Sequence, residues 1–304
     1  MRIGIFYGAA GRYLAGDALV SDVASARASG FASYWLPHLP VQADALTSLA
    51  IAGREVPDIE LGTAVVPMWS RHPLALAQQA LTTNELVGGR LSLGVGLAHQ
   101  RLVEPVWGIP FERPVQYARE YLRILAPALR NEPVDSVGER VTARWSMPLY
   151  PGVPAPRLYV AALGEKMLEL AGTVADGTIL WMTGPNTIAT HTAPTIRAAA
   201  ERAGRPQPRV IAGVPVLCTD DVEAGRALAA KVFERYGSAP SYRAMLDREG
   251  YADPAEIALI GDEAAIATGL EAFRQAGVDE LICSEFGPDD DALARTRQCL
   301  AGLL

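Results

Sequence analysis

The chain has 304 residues, of which 50% are hydrophobic and 20% charged, and its formal net charge is −7. This is the profile of an ordinary globular protein, long enough to bury a sizeable core. The acidic balance, with no basic run, argues against a nucleic-acid partner, and no uninterrupted stretch of about 18 apolar residues marks a membrane span.

The opening MRIGIF enters an apolar strand directly, so no leader peptide is expected. Cys218, Cys283 and Cys299 are odd in number and lack CxxC spacing. They read as the reduced thiols of a cytoplasmic protein.

Strands and helices alternate along the chain. Residues 2–6 form a strand and 17–29 a helix closed by Gly30, followed by a strand at 34–36 and a helix at 43–54. LGTAVV (61–66) precedes a helix at 74–87 that ends at Gly88-Gly89, and LSLGVG (91–96) leads through a longer loop into a helix at 114–130. Residues 131–156, rich in Pro, Gly and β-formers, make an excursion. Then come strand 158–162 with helix 165–174, strand 177–181 with helix 187–203, and strand 209–218 with helix 221–236. After a second excursion at 237–262, helix 264–276, strand 280–286 and helix 289–300 close the chain.

Continuous apolar strands separated by helices imply parallel pairing with both faces covered. Eight such units fit a (β/α)8 barrel formed by one domain over residues 1–304. A doubly wound dinucleotide fold is disfavoured, because no GxGxxG follows the first strand.

In such barrels the chemistry sits at the carboxyl ends of the strands. Three of the four histidines fall there: His38, His72 and His99 follow the second, third and fourth strands, while His191 lies in a helix. Histidine suits proton movement near neutral pH. His38 is either a proton carrier or a packed loop residue. His99 follows glycines that let a ligand approach the backbone, which points to function. His72 precedes Pro73 and reads as structural, bonding to backbone, with Arg71 pairing a carboxylate. No strand carries HxH and no carboxylate cluster accompanies the histidines, so no metal site is expected.

In VAALGEKMLELAG (160–172) a strand ends at Ala162, Gly164 turns the chain and a helix begins at once. Free amides at a helix start can bind phosphate. A plain turn requiring glycine would have the same sequence.

With these elements in this order, the chain resembles the bacterial luciferase-like superfamily and, within it, the coenzyme F420-dependent oxidoreductases. The resemblance runs essentially end to end. It rests on LGTAVVPMWSRHPLALAQQALT, GGRLSLGVGLAHQ and LYVAALGEKMLELAGTVADG. SYRAMLDREG, AGVPVLCTDD and IALIGDEAAI are similar to one actinobacterial branch.

The resemblance implies a barrel with insertions that binds its cofactor across the strand ends. A bulge with a non-prolyl cis peptide is expected at Ala64 and Val65, pressing on the central ring, with Pro67 beside it. Gly96, Leu97, Ala98 and His99 match the loop at the deazaflavin edge. Ala162 and the amides of Gly164, Glu165, Met167 and Leu168 match the phosphate-holding segment, where the charge of Lys166 could help. Trp181 ends the sixth strand at the same cavity. His38 matches the family's proton-handling histidine, although Pro37 replaces its usual acidic neighbour. The sugar-phosphate dehydrogenase branch has glutamate where His99 stands, so that branch's chemistry does not transfer.

The implied reaction is hydride transfer from C5 of reduced F420 to an imine or activated C=C, with His38 or His99 supplying the proton. Two alternatives stay open: an FMN-dependent monooxygenase served by a partner reductase, and a flavin- or deazaflavin-binding protein without catalysis. Tyr7, Arg12, Trp69 and Trp107 follow strands and are either substrate-pocket walls or loop packing. The second excursion could form a lid that brings Tyr242 and Arg243 to the ligand. Relatives commonly dimerise, so a homodimer is a further expectation.

Overall fold

The computed structural model describes residues 1–11 and 13–304. Arg12, one of the suggested pocket residues, lies outside the described residues.

Eight parallel strands close on themselves. They are β1 (Arg2–Phe6), β2 (Ser33–Leu36), β3 (Glu60–Thr63), β4 (Leu91–Gly96), β5 (Arg157–Val160), β6 (Gly177–Trp181), β7 (Arg209–Cys218) and β8 (Glu280–Glu285). Each pairs with the next, and β8 returns to β1 with Arg2 opposite Glu280. This is the expected (β/α)8 barrel, with helices covering its outer face.

Strand propensity and burial agree along the staves. GTILW is β-rich, and its first four residues are buried. Phe6, Trp35, Tyr159, Ile179, Ile211 and Ile282 fill the barrel interior. A larger apolar layer lies between strands and helices.

Ionic groups plug the amino-terminal end of the barrel. Glu280 is fully buried and is bonded by Arg209 and Ser33. Arg209 also donates to the Tyr159 hydroxyl at 2.8 Å. Glu60 takes Arg2 at 2.7 Å and Ser92 at 2.6 Å. Paired in this way, the buried charges avoid the cost of standing alone in a low-dielectric core.

Several boundaries depart from the expected pattern. The third strand is not continuous over 61–66: the ladder stops at Thr63 and resumes at Val66–Pro67, which pairs with β4. β5 ends at Val160, so Ala162 lies in the following loop. The loop after β4 contains a helix, Gln100–Trp107, stopped by Gly108 at φ 66°. The first excursion is an antiparallel hairpin, Val134–Val137 with Thr142–Trp145.

The second excursion is ordered as a helix (Pro240–Glu249), a turn (Pro254–Ile257) and an edge strand (Leu259–Gly261) beside β7. It is tied down at Glu249, whose carboxylate accepts from the amides of Asn186 and Thr187 and from the Thr187 hydroxyl. Among the described residues no helix is long and apolar enough to cross a membrane. The three cysteines are free and buried, and burial pushes the Cys218 thiol up to about 12.

Candidate functional site

A cavity of about 940 Å³ opens at the carboxyl ends of the strands. The bulge that interrupts β3 forms part of its wall: Ala64–Val65 is a cis peptide, and both residues and Pro67 face the cavity. The adjoining β4 closes on this bulge because it lacks side chains there. A Cβ on Gly96 would come within 2.6 Å of Val65 Cγ2. Thr63 fixes the approach by donating its hydroxyl to Gly94 O at 2.9 Å and accepting from Gly94 N at 3.0 Å.

His38, half-buried at the end of β2, lines the cavity. Its Nδ1 is 3.3 Å from the Ala45 amide, and its Nε2 is 3.4 Å from Arg71 Nη2. Both neighbours are donors, which opposes a second proton on the ring. Burial and then the Arg71 charge lower its pKa from 6.5, with Asp44 acting in the other direction. Asp44 stands 3.8 Å from Nδ1 and pairs with Arg71. The acidic group missing at position 37 is therefore supplied by the cap of the helix Ala45–Glu55.

His99 faces the same cavity from the end of β4. Its ring lies 5.5 Å from that of Tyr242, which packs edge-on against Tyr236 at 5.1 Å. Burial first, then Arg101 and Arg235, lower its pKa below 6.5. Both arginines line the cavity mouth, and Arg101 donates to the Arg235 carbonyl at 3.3 Å. Sequence reasoning missed this pair. Arg101 lies in a helix read as loop, and Arg235 is distant in sequence. Tyr242 reaches the cavity as suggested, whereas Arg243 turns onto Asp247 and the Ala252 carbonyl.

The loop after β5 brings Ala162 and Gly164 to the cavity, with Met167 one turn on. The helix Glu165–Val174 starts at Gly164 without a side-chain cap. The Met167 and Leu168 amides do not face a ligand as expected, because both are bonded to the Gly164 carbonyl at 3.0 Å. The donors lacking an intrahelical acceptor are those of Gly164, Glu165 and Lys166. The side chain of Lys166 points elsewhere, lining a separate shallow cavity with Arg119 and Glu169. The side chains of Glu165 and Leu168 are absent from the main cavity's lining.

The structure places the remaining residues as follows. Leu97, Ala98 and Trp181 line the main cavity. Trp69 is buried and stacks on Tyr117 at 3.7 Å, away from that lining. Tyr7 stacks on Tyr34, and Trp107 packs at the edge of the outer core. His72 caps the helix Pro73–Leu86, with Nδ1 accepting from Leu74 N at 3.3 Å and Nε2 lying 3.2 Å from the Thr142 carbonyl.

Three features suit a planar, polar, anionic cofactor. The volume accommodates a cofactor-sized ligand, the amide end at Gly164 is open to an anion, and the Trp181 Nε1 is buried without an acceptor. Among the described residues no group of three or more His, Cys, Asp or Glu could hold a metal ion.

Residues 2–280 match the sequence profile of the luciferase-like monooxygenase family. The chain is 29% identical over 280 residues to 5,10-methylenetetrahydromethanopterin reductase of Methanolobus tindarius, covering 90% of this chain and 84% of that protein. It is 32% identical over 150 residues to a putative coenzyme F420-dependent oxidoreductase of Mycobacterium tuberculosis, covering 44% and 42%. Its fold is similar to that of the coenzyme F420-dependent tetrahydromethanopterin reductase of Methanopyrus kandleri, with a TM-score of 0.80 and 22% identity over 98% of this chain and 97% of that one.

Proposed function

The chain belongs to the luciferase-like monooxygenase family, and from that premise we propose that it is a coenzyme F420-dependent oxidoreductase acting on a small organic substrate. The observation that carries the reading is the convergence on one cavity of the Ala64–Val65 bulge, two titratable histidines and the open amide end at Gly164. The relatives named above, one a reductase and one called F420-dependent, support it.

In this reading the amides of Gly164, Glu165 and Lys166 hold the cofactor phosphate. Ala64, Val65, Pro67, Leu97 and Ala98, which line the same cavity, would hold its ring system. When bound, the deazaflavin supplies hydride exchange at C5 without ready reaction with oxygen. The chain holds the reactants in contact and handles the accompanying proton.

His99 is our first choice for that proton and His38 the second. Both are neutral near pH 7, because burial and neighbouring guanidiniums disfavour the charged ring. A neutral imidazole accepts the proton released when an alcohol or amine is oxidised. In the reducing direction, with an imine or activated C=C as acceptor, only the fraction protonated on the acid side donates.

Open amides serve any phosphate, so FMN is the second reading. Fluorescence titration with F420 and separately with FMN decides between them. The proposal expects micromolar or tighter binding of F420 and far weaker binding of FMN. The reverse order would make the protein a monooxygenase component that needs a reductase.

A further inference from the structure

We propose that His191 is a positioning residue for the cofactor, aiming the Gly164 amide into the cavity by holding the carbonyl of Leu163. The inference rests on reading the cavity as a cofactor site. The loop joining β5 to the helix Glu165–Val174 is held at its ends, where Ala161 N donates to the Val95 carbonyl at 2.8 Å and the Gly164 carbonyl takes the first helix bonds. Among the described residues no backbone bond holds Ala162 or Leu163 between them, and Ala161, Ala162, Leu163 and Gly164 all line the cavity. From the outer layer, His191 Nε2 reaches the Leu163 carbonyl at 2.9 Å. A carbonyl only accepts, so this nitrogen carries the hydrogen.

One peptide plane links that bond to the ligand. The Leu163 carbonyl and the Gly164 N–H belong to the same trans peptide group and point in opposite directions. Drawing the carbonyl outward to His191 turns the N–H inward, away from the helix layer. A Cβ built on Gly164 would meet nothing within 4 Å, so no neighbouring atom crowds the chain at this residue.

The local sequence accounts for the presence of His191 at this point. The helix expected over 187–203 is not uniform: a wide π-type turn, Ile188–Thr192, precedes the α-helix Ala193–Arg202. Pro194 lacks an N–H, and its ring would press on the Thr190 carbonyl in a regular helix. Such turns recur at functional sites. Here the turn carries a His191 that is only 9% exposed. The helices Glu165–Val174 and Ala193–Arg202 are also packed closely at Gly172, where a Cβ would meet the Ile196 carbonyl at 2.6 Å.

The test compares wild type, His191→Leu and His191→Gln, with each variant's melting temperature recorded. The glutamine amide reproduces the Nε2 donor and leucine does not. We expect His191→Leu to bind F420 about tenfold more weakly, with kcat at saturating cofactor close to wild type, and His191→Gln to restore binding. If the leucine variant does not fold, His191→Asn, whose amide is too short to reach the carbonyl, takes its place with the same expectation. Wild-type affinity in the leucine variant, or equal weakening in the glutamine variant, overturns the proposal.

Amide hydrogen exchange over residues 161–168 gives a readout independent of cofactor. Exchange should be faster in the leucine variant and near wild type in the glutamine variant. If wild type binds neither F420 nor FMN, the cofactor reading falls. Exchange then decides whether His191 holds the loop, and equal rates in both variants would sink that idea.

Discussion

Arg71 stands with Nη2 3.4 Å from Nε2 of His38, and the same guanidinium is ion-paired to Asp44. The histidine therefore experiences a nearby positive charge whose own counter-charge is on the next helix cap. Replacing Arg71 by Gln removes one of the two causes that lower the His38 pKa, so that pKa should move up toward 6.5. Asp44→Asn removes the opposing influence and should move it further down. Titration of the imidazole C–H resonances by NMR reads both shifts, and movement in the same direction would contradict this arrangement.

His99→Ala and His38→Ala separate binding from chemistry. If His99 carries the proton, its loss should lower turnover by about 10²–10⁴-fold while leaving F420 affinity within a few-fold of wild type. His38→Ala should cost less. A larger loss at His38 would exchange the two roles.

Acid should destabilise the fold through the same two residues. Their native pKa values lie below 6.5, the value that applies once the chain unfolds. Between 6.5 and the lowered values the unfolded chain binds more protons, so acidification favours unfolding. The stabilisation is fully present above 6.5 and fades as pH falls through the native values. The melting temperature should drop on going from pH 7 to pH 5, and His99→Gln should flatten that slope.

Glu249 fastens the second excursion to the rest of the barrel by accepting from the amides of Asn186 and Thr187 at 3.0 and 2.7 Å. Glu249→Gln removes the charge from these bonds and should lower stability by about 1–3 kcal/mol in denaturant unfolding. Tyr242 rides on the same helix, so proteolysis within 237–262 should accelerate as well. An unchanged cleavage rate would mean the excursion is held by its packing alone.

The staves were legible because burial on both faces leaves long apolar runs; RIGIF and GTILW begin and end where their composition says. The helix Glu165–Val174 was marked by the glycine before it. The helix Gln100–Trp107 was not, because it is only eight residues long and carries Pro105 inside it, which reads as a loop signal. The break in the third strand came from the family resemblance, since LGTAVV alone reads as continuous. The bulge and both cavity histidines were anticipated. The Arg71–His38 contact, the Arg101–Arg235 pair and the reach of His191 to Leu163 join residues tens of positions apart, where periodicity carries no signal.

The ionic plug at the amino-terminal end has a consequence for how this protein can be altered. Arg2, Ser33, Glu60, Ser92, Arg209 and Glu280 cross-brace six of the eight staves at the end opposite the cavity. The integrity of the scaffold and the choice of ligand are thus written at opposite poles. Directed evolution confined to the rim around His99, Arg101, Arg235 and Tyr242 should retune selectivity while the cross-braced pole continues to dictate assembly.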